Sequence, residues 1–147
     1  LTLCTYDGGN IEIAKEVGEE NLFIFGHRTE ELERMRREHS YNPWDYYHRS
    51  PAIRRVMDVF HTDKLFRRNA PMFHWIFNAL LNQGDRYFLL ADFESYLRAS
   101  EQAGQEFLQR EVWARKAILN VARIGKFSSD RTIREYAEDI WKIRPVE

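Results

Sequence analysis

The 147-residue sequence has one cysteine, Cys4, which excludes an internal disulfide. Its place in an apolar run predicts a small buried hydrophobe in a reducing compartment. Long hydrophobic runs are missing. The longest, Asn21-Leu-Phe-Ile-Phe-Gly26 and Tyr87-Phe-Leu-Leu-Ala-Asp-Phe93, fall well short of the roughly 20 residues of a transmembrane helix, so no membrane span is expected. Charge of one sign is missing too. Lys and Arg total 22 and Asp and Glu total 23, so no long-range field draws nucleic acid or an anionic membrane to the surface. There is no repeat, no low-complexity tract and no flexible linker. The basic region, apolar stretch and small-residue cleavage site of an export signal are also absent. Nor does the sequence open on methionine: it begins inside Leu1-Thr-Leu-Cys-Thr5, an alternating strand pattern. The expectation is a truncated part of a larger cytoplasmic protein.

What is present is a core-forming composition, 44% hydrophobic and 14% aromatic, enough for one domain over 1–147 and too short for two. Residues 1–5 read as a strand, Asp7-Gly-Gly-Asn10 as a turn, and Ile11, Ala14 and Val17 as the inner face of a helix stopped by Gly18. Leu22 to Phe25, closed by Gly26, reads as a second strand, giving a βαβ unit with parallel strands. Two parallel strands make a poor sheet, so neighbouring strands are expected upstream. From there the periodicity is helical. Thr29 is expected to cap a surface helix running to about His39, with Leu32 and Met35 inward. Tyr41-Asn-Pro-Trp-Asp-Tyr-Tyr-His48 predicts a turn and a short aromatic helix. Ser50-Pro51 predicts a cap and first helical residue, followed by Ile53, Val56, Met57 and Phe60 on one face. Pro71 opens a further helix with Met72, Trp75 or Ile76, Ala79 and Leu80 inward. Asp92 is expected to cap a long helix with Phe93, Tyr96 and Leu97. A helix from about Arg110 to Gly125 carries Trp113, Ala117, Ile118 and Val121. The last, with a Thr132/Glu135 capping box, carries Ile133, Tyr136, Ala137, Ile140 and Trp141. The fold class is α/β: two short parallel strands near the amino terminus, then about six helices.

Candidate chemistry is thin. Asp7-Gly8-Gly9-Asn10 sits where glycines let backbone amides approach a phosphate, but it is neither a Walker loop nor GxGxxG, and Asp7 adds a negative charge, so a structural turn is expected. Of His27, His39, His48, His61 and His74, only His61-Thr-Asp63 groups two possible ligands, in no familiar zinc spacing, and no metal site is expected. Cys4 lacks a nearby partner histidine. Glu30, Glu31 and Glu33 read as a solvated helix start rather than an acid–base pair. Tyr41, Trp44, Tyr46 and Tyr47 have faces that suit sugars or bases, yet packing is the favoured reading. Arg34, Arg36, Arg37, Arg54, Arg55, Arg67 and Arg68 read as a solvated surface.

Taken together and in order, Thr5-Tyr-Asp-Gly-Gly-Asn-Ile-Glu-Ile13, Gly18-Glu-Glu-Asn-Leu-Phe-Ile-Phe-Gly26, Asp92-Phe-Glu-Ser-Tyr96, Gly125-Lys-Phe-Ser-Ser-Asp-Arg-Thr-Ile133 and Glu135-Tyr-Ala-Glu-Asp-Ile-Trp141 resemble the end of the glycogen (α-glucan, maltodextrin) phosphorylases. The resemblance covers essentially the whole chain. It implies a helix-rich portion of the carboxy-terminal, Rossmann-like (GT-B), cofactor-bearing domain of a glycosyltransferase that cleaves α-1,4-glucan ends with orthophosphate to glucose 1-phosphate. The implied cofactor is pyridoxal phosphate, whose phosphate moves the proton. In the family its attachment lysine and phosphate-holding groups lie upstream of the position matching Leu1. No catalytic, cofactor-binding or metal residue is therefore carried over, no cofactor is expected on this chain, and the chain alone is expected to be inactive. Its expected partner is the upstream part of the enzyme. Asp7, Gly8 and Asn10 are expected to shape a turn on the active-site side of the sheet, and Phe127, Asp130 and Arg131 to fix the last helix. Gly9 stands where the family commonly has alanine, Tyr6 where leucine or methionine is usual, and Arg67-Arg68 where serine–proline is frequent. The alternative reading is a stand-alone helical interaction module, docking or self-associating through Tyr41–Tyr47 or the open edge of strand 1–5.

Overall fold

A computed structural model describes residues 1–62 and 73–144. Strand β1 (Leu3–Thr5), helix α1 (Gly9–Val17), a 3₁₀ turn at Glu19–Asn21 and strand β2 (Phe23–Phe25) come first. Helices α2 (Thr29–Arg37), α3 (Pro43–Arg49), α4 (Pro51–His61), α5 (His74–Phe77), α6 (Leu89–Phe107), α7 (Arg110–Arg123) and α8 (Ser129–Glu135) follow. The two strands form a parallel two-stranded sheet, anchored by the Phe23 N–H donating to the Thr2 carbonyl at 2.9 Å. The α/β class with a strand–helix–strand opening is as expected. Seven described helices follow β2, among them the short aromatic helix expected after Tyr41-Asn42, at Pro43–Arg49. Residues 63–72 and 145–147 lie outside the described set, and with them Asp63, Arg67, Arg68, Pro71 and Met72 of the readings above.

Two compact units emerge, Leu1–Ile24 with Glu101–Glu147, and Phe25–Ser100. In the first, Ala14, Val17 and Leu22 are the buried centre, with Ile13, Ile24 and Ile124 packed against them. Ile11, expected inside, is exposed. Ile13, on the other flank of the Ala14–Val17 stripe, packs inward in its place. Polar ties complete this unit. Asn120 Nδ2 donates to the Asn21 carbonyl at 2.8 Å, and Arg123 Nη1 to the Val17 carbonyl at 2.9 Å. The second serves the Val17 C=O at the end of α1, where carbonyls run out of intrahelical donors. On α7, Ile118 and Val121 are exposed, contrary to expectation. The inner stripe is instead Trp113, Ala117, Asn120 and, just past the helix, Ile124, which are three or four residues apart.

The last helix departs in its cap. Ser128, not Thr132, is the N-cap, its Oγ accepting from the Arg131 N–H, while Thr132 lies one turn in and donates back to the Ser128 carbonyl. The helix continues as a π-helical turn over Tyr136–Trp141. Its Ile133, Tyr136, Ile140 and Trp141 are all exposed. Arg131 does brace this end, donating to the Lys126 carbonyl at 3.2 Å and to Glu135 at 2.6 Å.

In the Phe25–Ser100 unit, Ile53, Met57, Phe77, Leu81 and Leu90 form the core, ringed by Trp44, Tyr46, Tyr47, Phe60, Leu80 and Phe93. Asn42 and Ser50 cap successive helices, each followed by proline at the first helical position. Pro fits there because its missing N–H has no intrahelical partner to lose. Ile53 and Met57 are 1% exposed, so the period expected for α4 holds, although Val56 faces outward. After residue 73, Ile76, Ala79 and Leu80 are half-buried as expected, but Trp75 is exposed and the deepest positions are Phe77 and Leu81. Helix α5 passes into a π-helical turn over Asn78–Asn82. Thr29 is the first helical residue of α2 rather than its cap. Glu31 instead reaches back to accept the Arg28 N–H at 2.8 Å. Helix α2 buries no residue fully, as a surface helix should.

Candidate functional site

In open α/β sheets ligands gather outside the carboxyl ends of the strands, so the residues leaving β1 and β2 are the first to weigh. Beyond β1, Asp7 Oδ1 accepts from Thr5 Oγ1 at 2.8 Å and from Asn10 Nδ2 at 3.2 Å. Asn10 Nδ2 also reaches the Thr5 carbonyl at 3.2 Å, and the Asn10 N–H donates to the Asp7 carbonyl at 3.1 Å. Gly8 turns the chain with φ 48, a conformation that costs glycine least. The turn is thus closed on itself by the Asp7 carboxylate, and the negative charge a phosphate would bring meets one already in place. The structural reading of Asp7-Gly8-Gly9-Asn10 is the one the geometry supports.

Beyond β2, Gly26 N–H donates to Ser95 Oγ at 2.8 Å, and His27 N–H to Asp92 Oδ1 at 2.9 Å. His27 Nδ1 lies 2.6 Å from the same oxygen. Gly26 has φ 90, and a Cβ there would lie 2.7 Å from Asp92 Oδ2, so no side chain fits without displacing the carboxylate. Asp92 was expected to cap its own helix. It sits inside the first turn of α6 and binds the loop 65 residues earlier instead. The cap is Asp85, whose Oδ2 accepts the Leu90 N–H at 2.8 Å and the Tyr41 hydroxyl at 2.5 Å. Burial, then the hydrogen bond to Asp85, push the Tyr41 phenol far above its ordinary range. Sequence reasoning singled out Asp92 but not its partner His27, and passed over Asp85, because His27 and Tyr41 lie 65 and 44 residues away in the chain.

The remaining candidates fall into place separately. Cys4 is buried, and burial followed by the nearby Asp7 charge raise its thiol pKa, which leaves it the neutral, unreactive form. Trp44 packs edge-on against Tyr47 and Phe77, and Tyr41 lies 5.2 Å from Tyr46 and 4.7 Å from Phe88, so the aromatic segment serves packing. Glu30 and Glu33 are exposed at the start of α2. Arg34, Arg36, Arg37, Arg54 and Arg55 are exposed as well. His61 stacks on His74 at 5.5 Å, and no group of three metal-ligating side chains occurs among the described residues. In the first unit a cleft of about 750 Å³ is lined by Tyr6, Glu19, Phe23, Gln102, Arg115 and Lys116. Its lysine is engaged: Lys116 Nζ lies 2.6 Å from Glu106, and this contact, ahead of the others, lowers the Glu106 pKa. A carboxylate so held stays ionised at neutral pH and is no proton donor.

The sequence comparisons decide the lineage. The family model described as carbohydrate phosphorylase matches residues 1–143. The chain belongs to the carbohydrate phosphorylase family. A glycogen phosphorylase of Synechocystis sp. is 49% identical over 146 residues, 99% of this chain and 17% of that protein. That of Chlamydia trachomatis is 42% identical over 147 residues, 99% and 18% respectively, and the muscle form of Bos taurus 41% over 146 residues, 99% and 17%. The chain thus spans less than a fifth of these relatives' length and matches their carboxy-terminal part. Among the described residues no helix is long and apolar enough to cross a membrane.

The cofactor expected from the resemblance can be tested against the side chains in place. Lys116 is held by Glu106 and Lys126 by Glu16 at 2.5 Å, while Lys15 and Lys142 are on the surface. Of the glycine-bearing segments at the described strand ends, the one after β1 is closed by Asp7 and the one after β2 by Asp92 and Ser95. The described residues do not fit an attachment site for pyridoxal phosphate, and no chemical step is derived through it.

Proposed function

We propose that residues 1–147 are one partial domain, the carboxy-terminal end of the cofactor-bearing, GT-B-type domain of a cytoplasmic α-glucan phosphorylase. The whole enzyme cleaves α-1,4-glucan with phosphate to release glucose 1-phosphate, with pyridoxal phosphate bound by the upstream polypeptide. This chain holds no catalytic or cofactor residue and acts as architecture. The observation that carries the reading is the family match over residues 1–143 together with 41–49% identity to glycogen phosphorylases along the chain. Two features support the structural role. The turn after β1 is satisfied by its own Asp7 and Asn10, and the loop after β2 by Asp92 and Ser95.

The test compares the 147-residue chain with the full-length parent on maltooligosaccharide and phosphate. The parent is expected to form glucose 1-phosphate and to show cofactor absorbance, and the chain alone to do neither. Turnover by the chain alone defeats the architectural role, and a parent without phosphorolysis defeats the assignment of activity.

A further inference from the structure

Strained backbone in the Phe25–Ser100 unit is concentrated in one place. Four non-glycine residues among those described have positive φ: His39, Asp85, Phe88 and Lys142. The first three, together with Gly84 at φ 89, line a single cleft of about 460 Å³. Such conformations are disfavoured for residues with a side chain and persist where the surroundings hold them, often at binding sites.

The cleft's cations are placed but unpaired. Arg36, on α2, carries its guanidinium 5.3 Å from the Phe88 ring centroid. Phe88 is itself backed by Tyr41 at 4.7 Å, and Tyr41 is fixed by Asp85. Arg86 arrives from a turn 50 residues later and lines the same cleft. Among the described residues neither arginine has a carboxylate within ion-pair distance or a side-chain hydrogen bond. Among the described residues Asp85 is the only acid in the lining, and it is 2% exposed. Its Oδ2 is taken by Leu90 and Tyr41, and its Oδ1 is shut away from solvent without a partner. Two exposed positive charges therefore stand against one buried negative charge, and the field at the mouth is cationic. Planar guanidinium forks match tetrahedral oxyanions in geometry as well as charge.

We propose that this cleft binds a phosphate-class oxyanion, free or as a monoester, gripped by Arg36 and Arg86. Asp85 is a positioning residue, holding the turn and the Tyr41–Phe88–Arg36 stack. The site is built wholly from this chain and stands independently of the phosphorylase activity proposed above.

Nuclear magnetic resonance of the 147-residue chain tests it, with sodium phosphate and glycerol 3-phosphate titrated at ionic strength held constant by NaCl. Saturable shifts are expected at the Gly84 and Arg86 amides and at the Arg36 and Arg86 Nε–H groups. Arg36→Gln and Arg86→Gln should each weaken binding about tenfold, the effect of losing one charged hydrogen bond. Arg36→Lys, which keeps the charge and loses the fork, should fall between. Tighter binding of glycerol 3-phosphate marks an esterified ligand, and equal binding marks the free anion. Shifts that never saturate, that NaCl reproduces, or that persist in the Arg36→Gln/Arg86→Gln double variant overturn the site. Both side chains are exposed and support no described hydrogen bond, so the variants should fold.

Discussion

The two units solve the problem of burial differently. Phe25–Ser100 encloses five large or medium apolar side chains, Ile53, Met57, Phe77, Leu81 and Leu90, in a ring of aromatics. The unit of Leu1–Ile24 and Glu101–Glu147 has a centre of only Ala14, Val17 and Leu22 and leaves Ile118, Val121, Ile140 and Trp141 largely in solvent. It relies on directed bonds from Asn120 and Arg123 to carbonyls about 100 residues away. One region is held by area removed from water, the other by matching donors to carbonyls that a helix end and a 3₁₀ turn leave over. Apolar burial contributes roughly 25 cal/mol per Å², whereas a hydrogen bond nets only about 1 kcal/mol. The first region should therefore carry most of the stability.

The sharpest way to break that comparison is by truncation. Met57→Ala should cost about 2–5 kcal/mol, as a cavity in a filled core does, while Val121→Ala should change stability by less than about 0.5 kcal/mol, as at an exposed site. Urea midpoints of the two variants measure the contrast, and equal losses would mean that the second face is not free. A smaller effect is expected at the polar node of the first region. Asp85→Ala removes the cap of α6 and leaves the Tyr41 hydroxyl and the Leu90 N–H without an acceptor, at a cost of about 2–3 kcal/mol. The same variant has a signature in pH. Because the folded state raises the Tyr41 pKa, its contribution is fully present below the ordinary tyrosine value of about 10 and is lost as pH rises towards the folded value. Wild type should lose stability on that alkaline side, and Asp85→Ala, without the bond, should lose less. The smallest effect lies in the other region. A Cβ built at Gly9 meets nothing within 4 Å, and its φ is not positive. Gly9→Ala should raise the thermal midpoint, stabilising by about 0.4–1 kcal/mol through the unfolded chain.

Legibility in the sequence followed the same divide. Where local rules act alone, reading succeeds: Asn42-Pro43 and Ser50-Pro51 start helices as proline geometry requires, and Ile53 with Met57 marks the buried face of α4. Reading fails where an apolar run offers more than one face or where a side chain works at long range. Ile76, Phe77, Ala79, Leu80 and Leu81 give two overlapping faces at helical spacing, and the fold buries Phe77 and Leu81 most deeply. Asp92 looked like a cap because it stands at a helix start, yet its oxygens serve His27. Asp85 looked like nothing, since a cap five residues before the amide it binds leaves no short-range pattern. At the candidate sites, the Asp7–Asn10 turn was visible because all its partners are local. The convergence of Arg36 and Arg86 needed the fold.

The first unit is assembled from both ends of the chain, with the intervening 76 residues, Phe25–Ser100, forming the other. During synthesis at about 5–20 residues per second, the carbonyls of Val17 and Asn21 would wait roughly 5–20 seconds for Arg123 and Asn120 to be made. Over that interval the middle of the polypeptide can already close its own centre on the ribosome. The two long-range donors of the first unit, Asn120 and Arg123, therefore arrive only after the Phe25–Ser100 unit has been made in full.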